Sequence, residues 1–251
     1  MCLLSFSWQP NTATPLTLVA NRDEFHQRPA APAQFWPEHP HVLAGKDLTG
    51  NGTWLGVTKQ GYFAALTNVR KLPSTYDGNI SRGNLVLDYL IGQPDPLSYL
   101  TRIQQRAHDY DGFNLIVGNK EQCWYFSNRQ PHDPIALSAG LYGLSNASLD
   151  TPWPKLTAAK DNLNMWLTQP NSQVDLLHTL LQDRNTYPQA LQPDTGIGQP
   201  WETLLSSAFI VSDNYGTRAS TGLIISENRI HFQEASYDPN GHVGHLETFD
   251  F

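Results

Sequence analysis

The residue with the clearest chemical potential is Cys2, which directly follows the first methionine of the sequence. A residue this small normally permits removal of Met1, and Cys2 would then carry a thiol and an α-amino group. An α-amine titrates at about 7.7 to 8.0 in model peptides, so it can accept the thiol proton directly or through a water. The position therefore suits a nucleophile that supplies its own base, although free cysteine is often a small buried hydrophobic residue.

Four polar residues in a row, Asn21, Arg22, Asp23 and Glu24, close the second strand that the sequence predicts. Neighbouring side chains on a regular strand point to opposite faces of the sheet. Arg22 and Glu24 should therefore share one face, while Asn21 and Asp23 share the other. Both sets reach one pocket only if a turn or a bulge intervenes.

Further short motifs follow these residues in a fixed order. Together with Cys2 and residues 21–24, they make the sequence resemble the Asn-Arg-Asp-Glu family, also known as the transport and Golgi organisation family. The resemblance extends from Cys2 to beyond Arg218. The motifs that carry it are Arg28-Pro29, Phe35-Trp36, Gly45-Lys46-Asp47, 52–56, 65–68, Ser81-Arg82-Gly83, 112–115, 142–146, Thr151-Pro152-Trp153 and 215–218.

That family is similar to the cysteine N-terminal-nucleophile hydrolases, which cleave bile-salt and penicillin amides. The resemblance implies an α+β fold, a four-layer αββα sandwich of the N-terminal-nucleophile hydrolase type. If the chain is an enzyme, the resemblance implies a cysteine hydrolase of linear amides. The implied catalytic residues are Cys2, Arg22, Asp23, Asn68, Asn146 and Arg218.

Two of these implied roles have a direct chemical reason. A side-chain N–H of Asn68 can donate to an oxyanion, and Arg22 or Arg218 can lower the thiol pKa or hold a carboxylate. The sequence departs from the amide hydrolases at one point, because their Arg and Asp are separated by two residues whereas Arg22 and Asp23 are adjacent. This departure favours a binding protein over an intact hydrolase.

The resemblance implies three functions. The first is intracellular haem trafficking, in which haem is a cargo that passes to haem-accepting proteins. The alternatives are a Cys2-dependent amidohydrolase that acts on non-peptide C–N bonds, and an acyl-CoA or lipid-binding protein. The implied ligand-binding residues are Asn21, Arg22, Asp23, Glu24 and Arg218, and the candidate iron ligands are His26 and Cys2.

Composition excludes several other classes. The net charge is −7 and the 16 basic residues are scattered, which argues against a nucleic-acid partner. The sequence has neither a G-x-G-x-x-G motif after a strand nor a P-loop, so we expect no nucleotide cofactor. Without a signal-like start or an apolar run of membrane-spanning length, we expect a cytoplasmic protein with no membrane span and with Cys2 and Cys123 as free thiols.

The elements that must position these residues alternate between strands and helical pairs, and no linker divides the chain, so we expect one domain over residues 1–251. Runs of antiparallel strands with two inserted helical pairs predict two packed sheets covered by helices. Strands are predicted at 3–8, 16–20, 53–57, 62–67, 113–117, 123–126, 141–144, 208–211, 222–225 and 229–232, and segment 29–40 as a proline-rich loop.

Four helices are predicted from their apolar spacing and caps. The first covers about 82–91, and the second has Asp95 as its cap and Pro96 as its first residue. The third is capped by Thr151 ahead of Pro152. The fourth is capped by Ser172, with Asp175 in a capping-box pattern and a buried stripe made of Leu176, Leu177, Leu180 and Leu181.

Overall fold

The computed structural model describes residues 2–70, 80–169 and 174–251. Within these ranges the chain forms two antiparallel sheets and a set of short helices. The strands are β1 (Cys2–Trp8), β2 (Leu16–Phe25), β3 (Ala30–Trp36), β4 (His39–Asp47), β5 (Leu55–Thr58), β6 (Phe63–Asn68), β7 (Phe113–Gly118), β8 (Cys123–Ser127), β9 (Ile135–Ala136), β10 (Gly140–Leu144), β11 (Tyr215–Ile225), β12 (Ile230–Tyr237) and β13 (Val243–Asp250).

The two sheets draw on different parts of the chain. The first sheet has the order β10-β1-β2-β11-β12-β13, and the second has the order β3-β4-β5-β6-β7-β8-β9. Nearly the whole second sheet is one meander of consecutive strands. The first sheet instead brings the start of the chain beside its C-terminal strands, because β2 pairs with both β1 and β11.

The main core lies between the two sheets. Strand β1 shows how the alternation of side chains builds it, because Leu4, Phe6 and Trp8 belong to the buried cluster shared with the second sheet. Leu3 belongs instead to the cluster that contains Leu156 of the helical layer. Both faces of the strand are therefore buried, as expected for a sheet that is covered on both sides, although the face of Leu3 also carries Ser5 and Ser7.

Helices cover the outer face of each sheet. Helices α1 (Gly83–Gly92) and α2 (Pro96–Gln105) share a buried cluster with the second sheet. Helix α3 (Pro154–Thr168) and a 3-10 helix (Val174–Leu181) pack on the first sheet, and the short helix α4 (Trp201–Leu204) follows later in the chain. The layers run helix, sheet, sheet, helix, which confirms the predicted αββα sandwich.

The helix predictions hold best where a cap is explicit. Asp95 caps α2 and accepts a hydrogen bond from Ser98 N at 2.8 Å, with Pro96 as the first helical residue, as predicted. The third helix begins at Pro154 rather than behind Thr151, because the Thr151 hydroxyl donates back to Ser148 O at 2.9 Å and closes a turn.

The fourth helical prediction is only partly correct. Its cap, Ser172, lies outside the described residues. The segment behind it is a 3-10 helix, in which Leu177 and Leu181 are buried as predicted. Leu176 is 48% exposed, so its place in the buried stripe was wrong. A 3-10 helix has three residues per turn, so its buried face is narrower than that of the α-helix that the sequence predicted.

One loop prediction and one strand prediction were wrong, and one strand was missed. Segment 29–40, predicted as a proline-rich loop, contains β3 and the start of β4. Pro32 is tolerated because β3 is an edge strand and Pro32 lies where the β3–β4 register shifts. The predicted strand at 208–211 is a connection, in which Phe209 N donates to Asp183 O. The exposed edge strand β13 was not predicted at all.

Replacement of Asp95 tests the capping interaction. We expect Asp95→Ala to lower the free energy of unfolding by about 1 kcal/mol, because Ser98 N loses its acceptor. Asp95→Asn retains an acceptor at the same position and should cost only a few tenths of that amount. Urea denaturation measures both variants, and equal losses would contradict a capping role.

Candidate functional site

A polar cleft of about 410 Å³ opens where strand ends from both sheets meet. Cys2 begins β1, and it reaches the end of β2 because the antiparallel register pairs Cys2 with Arg22. The second sheet contributes Asn68 from the end of β6. The polar and charged residues that line the cleft are Cys2, Arg22, Asp23, Glu24, Arg28, Asp47, Thr53, Asn68, Ser81, Arg82 and Asp111.

Arg22 is the most enclosed cation of this cleft. Its side chain is 5% exposed, its guanidinium carbon lies 4.3 Å from the centroid of the Trp54 ring, and Nη2 lies 3.4 Å from Asp47 Oδ2. The other terminal nitrogen, Nη1, is buried and has no hydrogen-bond partner among the described residues. A buried donor without a partner is costly, so Arg22 retains capacity to bind an anionic or carbonyl oxygen.

Asp47 organises the rim of the cleft. Its Oδ2 accepts a hydrogen bond from Arg28 Nε at 2.7 Å, which is a charge-assisted contact. Its Oδ1 accepts from the backbone N–H groups of Thr49 and Gly50 at 3.0 and 2.8 Å. These contacts close the turn after β4, and together with the Arg22 contact they fix two arginines at one wall.

A bulge lets adjacent residues of β2 reach the same cleft. In the β2–β11 pairing, Thr217 lies opposite Asp23 and Ala219 lies opposite Arg22, so Arg218 is the extra residue. The sequence analysis predicted that a turn or a bulge is needed here, and the structure has the bulge in β11, the partner strand of β2. Arg22, Asp23 and Glu24 all line the cleft.

Asn21 faces away from the cleft. Its Nδ2 donates to Leu181 O at 2.9 Å and to Ala208 O at 2.8 Å. Its Oδ1 accepts from the Ser220 hydroxyl at 2.6 Å. Asn21 is fully bonded beneath the helical layer, so it supports the strand and is not available to a ligand in the cleft.

The ionisable groups at the base of the cleft are shifted by burial. Burial raises the pKa of the Cys2 thiol; the Asp23 carboxylate acts in the same direction, while Arg22 opposes it. Burial also raises the pKa of Asp23, against which Lys155 acts most strongly among the described residues. Asp23 Oδ1 accepts a hydrogen bond from the Thr217 hydroxyl at 2.7 Å. Cys2 is therefore a neutral thiol at neutral pH, and a base must take its proton before it can attack.

The two asparagines predicted for catalysis lie at different depths in the site. Asn68 lines the cleft. Asn146 is buried behind it, and its Nδ2 donates to Asn68 O at 2.8 Å. Asn146 O in turn accepts from Arg70 N at 2.7 Å. Asn146 thus holds the end of β6 in place, whereas Asn68 is positioned to contact a ligand.

Arg218 and His26 lie together outside the cleft. Arg218 Nη1 donates to His26 O at 3.0 Å and to Phe25 O at 3.3 Å. His26 Nε2 lies 2.9 Å from Ser212 O, so its ring is held against the loop before β11. Neither residue lines the cleft around Cys2.

A second cavity of about 140 Å³ lies behind Arg22 and Trp54, which line both spaces. Arg218 and Glu234 line this second cavity. Glu234 is buried, and it accepts from Ala33 N at 2.8 Å and from the Thr221 hydroxyl at 3.3 Å. Because Ala33 lies in β3 and Glu234 in β12, this carboxyl joins the two sheets. Burial raises its pKa to about 7.

Sequence reasoning did not assign a role in the site to several residues that the structure places there. Asp47 and Arg82 belong to the motifs that carry the family resemblance, and this was a usable signal. Trp54 packs against the main core and also lies under the Arg22 guanidinium. Nothing in the local sequence marks Glu234, because it becomes significant only when the two sheets come together.

Comparison with known proteins identifies the family. The family model described as Transport and Golgi organisation 2 matches residues 1–239. The chain belongs to this family. The Transport and Golgi organization 2 homolog of Mus musculus is 34% identical over 267 residues, covering 98% of this chain and 92% of its own. The homolog of Homo sapiens is 34% identical over 270 residues, covering 99% and 97%.

Solved structures agree with the fold. A Caenorhabditis elegans protein described as an N-acylethanolamine-hydrolyzing acid amidase ortholog superposes with a TM-score of 0.51 at 12% identity, covering 88% of this chain and 92% of its own. At this identity the likeness shows the N-terminal-nucleophile hydrolase fold. The predicted resemblance and fold type are thereby confirmed.

Across residues 2–70, 80–169 and 174–251, no helix has the length and apolar character needed to cross a membrane. In the same ranges, no three His, Cys, Asp or Glu side chains are grouped so that they could hold a metal ion.

Glu234 makes stability depend on pH. Its pKa rises from 4.5 to about 7 on folding, so between these values the unfolded chain loses a proton that the folded protein keeps. The free energy of unfolding should therefore fall as pH rises through this window, by up to about 3 kcal/mol, and then level off. Urea denaturation from pH 4.5 to 8 should show a clearly shallower fall for Glu234→Gln. The exposed Glu121→Gln should follow the parent protein, and identical slopes for all three would contradict the assignment.

Proposed function

We propose that the cleft is the active site of a Cys2-dependent amidohydrolase that acts on linear, non-peptide C–N bonds. The observation that carries this proposal is that Cys2, Asp23 and Asn68 line one cleft. They supply a nucleophile, a carboxylate beside it and an amide donor. These are the components that acyl transfer through a thioester requires.

The chemistry begins with removal of Met1, which leaves Cys2 with a free α-amine. The α-amine takes the thiol proton as sulfur attacks the amide carbonyl carbon. The S–C bond forms while the carbonyl oxygen becomes an oxyanion, to which the side-chain N–H of Asn68 donates. Collapse of the oxyanion breaks the C–N bond, and the α-ammonium returns its proton to the leaving amine. Water then hydrolyses the thioester, releasing a carboxylic acid and restoring the thiol.

Arg22 orients the substrate in this scheme. Its Nη1 has no hydrogen-bond partner among the described residues, and Arg22 lines the same cleft as Cys2, its register partner. A guanidinium is suited to an oxygen-bearing group of the substrate, either a carboxylate or a second carbonyl. The solved amidase with the same fold is described as hydrolysing N-acylethanolamines, which are linear amides, and this supports the same bond class here.

The amidase proposal is tested with Cys2 variants against a panel of linear amides, including N-acylethanolamines and N-acyl amino acids, with the released amine measured by mass spectrometry. We expect Cys2→Ala and Cys2→Ser to lose turnover at least 100-fold, whereas Cys123→Ala should retain it because Cys123 is buried in the core. A form with one extra residue before Cys2 should also be inactive, since it has no α-amine at Cys2. Turnover that survives Cys2→Ala would refute the mechanism.

Haem binding and transfer to an acceptor protein is the second candidate, and one observation favours it. Cys2 and three arginines, Arg22, Arg28 and Arg82, line the same cleft. A cysteine thiolate is a known axial ligand of haem iron, and arginines pair with carboxylates such as the two propionates. The same arginines would suit the phosphates of an acyl-CoA, which is the third candidate.

An absorbance titration with haem separates these candidates. If haem is the cargo, binding should saturate with a shifted Soret band, Cys2→Ala should change the band, and Arg28→Gln should weaken binding about tenfold or less, because Arg28 is partly exposed. Arg28 is substituted instead of Asn21, because the buried hydrogen bonds of Asn21 hold the strand in place. Non-saturating adsorption, equal in all variants, would exclude the haem candidate, and the same variants would then be titrated with acyl-CoA.

A further inference from the structure

The C-terminal strand β13 is one edge of the first sheet. It pairs with β12 on one side, and among the described residues no strand lies on its other side. An edge strand presents backbone N–H and C=O groups with which a further strand can pair. Val243 is 55% exposed and Leu246 is 48% exposed, so solvent reaches this edge. Strand β13 is therefore accessible to a pairing partner.

The other three sheet edges that the structure describes are poor sites for strand pairing. Strand β9 has two residues, and β10 has five, of which two are glycines. Strand β3 contains Pro32 and two register shifts. Strand β13 has eight residues and contains neither a proline nor a lysine, two residues that commonly prevent pairing at an edge. The register shift of its own ladder lies at its start, between Val243 and His245.

The hydrogen bonding of β12 and β13 shows which backbone groups point to the open side. Ile230 N donates to Phe251 O at 2.7 Å, and Phe251 N donates to Ile230 O at 3.1 Å, so these two residues form a hydrogen-bonded pair. In an antiparallel ladder such pairs alternate with pairs whose backbone groups point away from the partner strand. The register is continuous back to His245. The N–H and C=O groups of Leu246, Thr248 and Asp250 therefore point away from β12.

A second copy of β13 is complementary to this open side. If a two-fold axis passes through Leu246, two antiparallel copies place Leu246 opposite its own copy and His245 opposite Glu247 of the second copy, twice. The outward backbone groups of Leu246 then face each other, as a hydrogen-bonded pair requires. An axis at Glu247 would bring two carboxylates together, and an axis at Thr248 would set Leu246 against Asp250, so both are less favourable.

We propose that two copies of this chain associate through β13, antiparallel and with the two-fold axis at Leu246, so that their first sheets join into one continuous sheet. Such an interface uses the same surface of both copies and therefore closes at a dimer. His245 also lines the second cavity, the one behind Arg22, so the seam between the copies runs beside that cavity. The proposal does not depend on the chemistry of the cleft, and failure of the amidase assay leaves it unchanged.

The association is tested by size-exclusion chromatography with light scattering over a range of protein concentrations. The parent protein should reach the mass of a dimer as concentration rises. Leu246→Lys should raise the dissociation constant about tenfold or more, because it places two ammonium groups opposite each other at the axis. Leu191→Lys is the matched control: Leu191 is 58% exposed but lies outside β13, so this variant should dimerise like the parent protein.

An exchange of charges tests the register. His245→Glu alone should weaken the dimer about tenfold, because the new carboxylate faces Glu247 of the second copy. The double variant His245→Glu/Glu247→Lys places opposite charges across the seam again and should recover a dissociation constant close to that of the parent protein. Both variants also lose the contact of His245 Nε2 with Glu247 Oε1 within one chain, so that loss cannot explain a difference between them.

A parent protein that stays monomeric at every concentration would overturn the proposal and leave this edge to a strand of another protein. A dimer that persists unchanged in Leu246→Lys would also overturn it, as would a double variant that dimerises no better than His245→Glu. If Leu246→Lys does not fold, hydrogen exchange of the parent protein replaces it. The backbone amides of Leu246, Thr248 and Asp250 should then exchange faster after dilution to the monomer, and unchanged rates would contradict pairing through β13.

Discussion

The antiparallel pairing of β1 with β2 is the constraint on which the site depends. It places Cys2 opposite Arg22, so the start of the chain and the polar motif at residues 21–24 become neighbours. A shift of one residue would turn Cys2 and the apolar set of β1 to the opposite faces. The core between the sheets fixes this register, because Leu4, Phe6 and Trp8 must face the second sheet. The packing that stabilises the fold therefore also positions the thiol.

Several charged side chains of this protein are buried. Asp23, Arg70, Lys155 and Glu202 are each less than a tenth exposed. Glu234 lies between the sheets, where it accepts from Ala33 N across the interface. Burial of charged groups is expensive unless they are paired, and well-packed apolar residues often give more stability than a buried ion pair. Stability alone therefore does not account for these buried charges.

Much of the architecture could be predicted because it follows from local patterns. The alternation in β1 and the Asp95–Pro96 cap of α2 are each readable within a few residues. The sandwich then follows from the order of strand runs and helical pairs. The errors arose where tertiary context overrides propensity, as in β3, where an edge position accommodates Pro32.

The site was less accessible to sequence reasoning than the fold. The motif at residues 21–24 was recognised, but only the structure shows that Asn21 faces the helical layer and that the required bulge lies in β11. Ala33 and Glu234 are 201 positions apart in the sequence, and no pattern of spacing connects them. Partners that meet only through packing of distant layers leave no local signal.

The Arg22–Trp54 stack has a consequence for how the two cavities communicate. The stacked pair forms part of the lining of both the cleft and the smaller cavity behind it. A molecule that draws the guanidinium toward the cleft changes the wall that the rear cavity presents, and the reverse is equally true. Binding in the two cavities is therefore thermodynamically linked. If a ligand in one cavity changes the affinity of the other cavity by some factor, a ligand in the second changes the affinity of the first by the same factor. The stacked pair is a wall common to both cavities, so its position affects the shape of each.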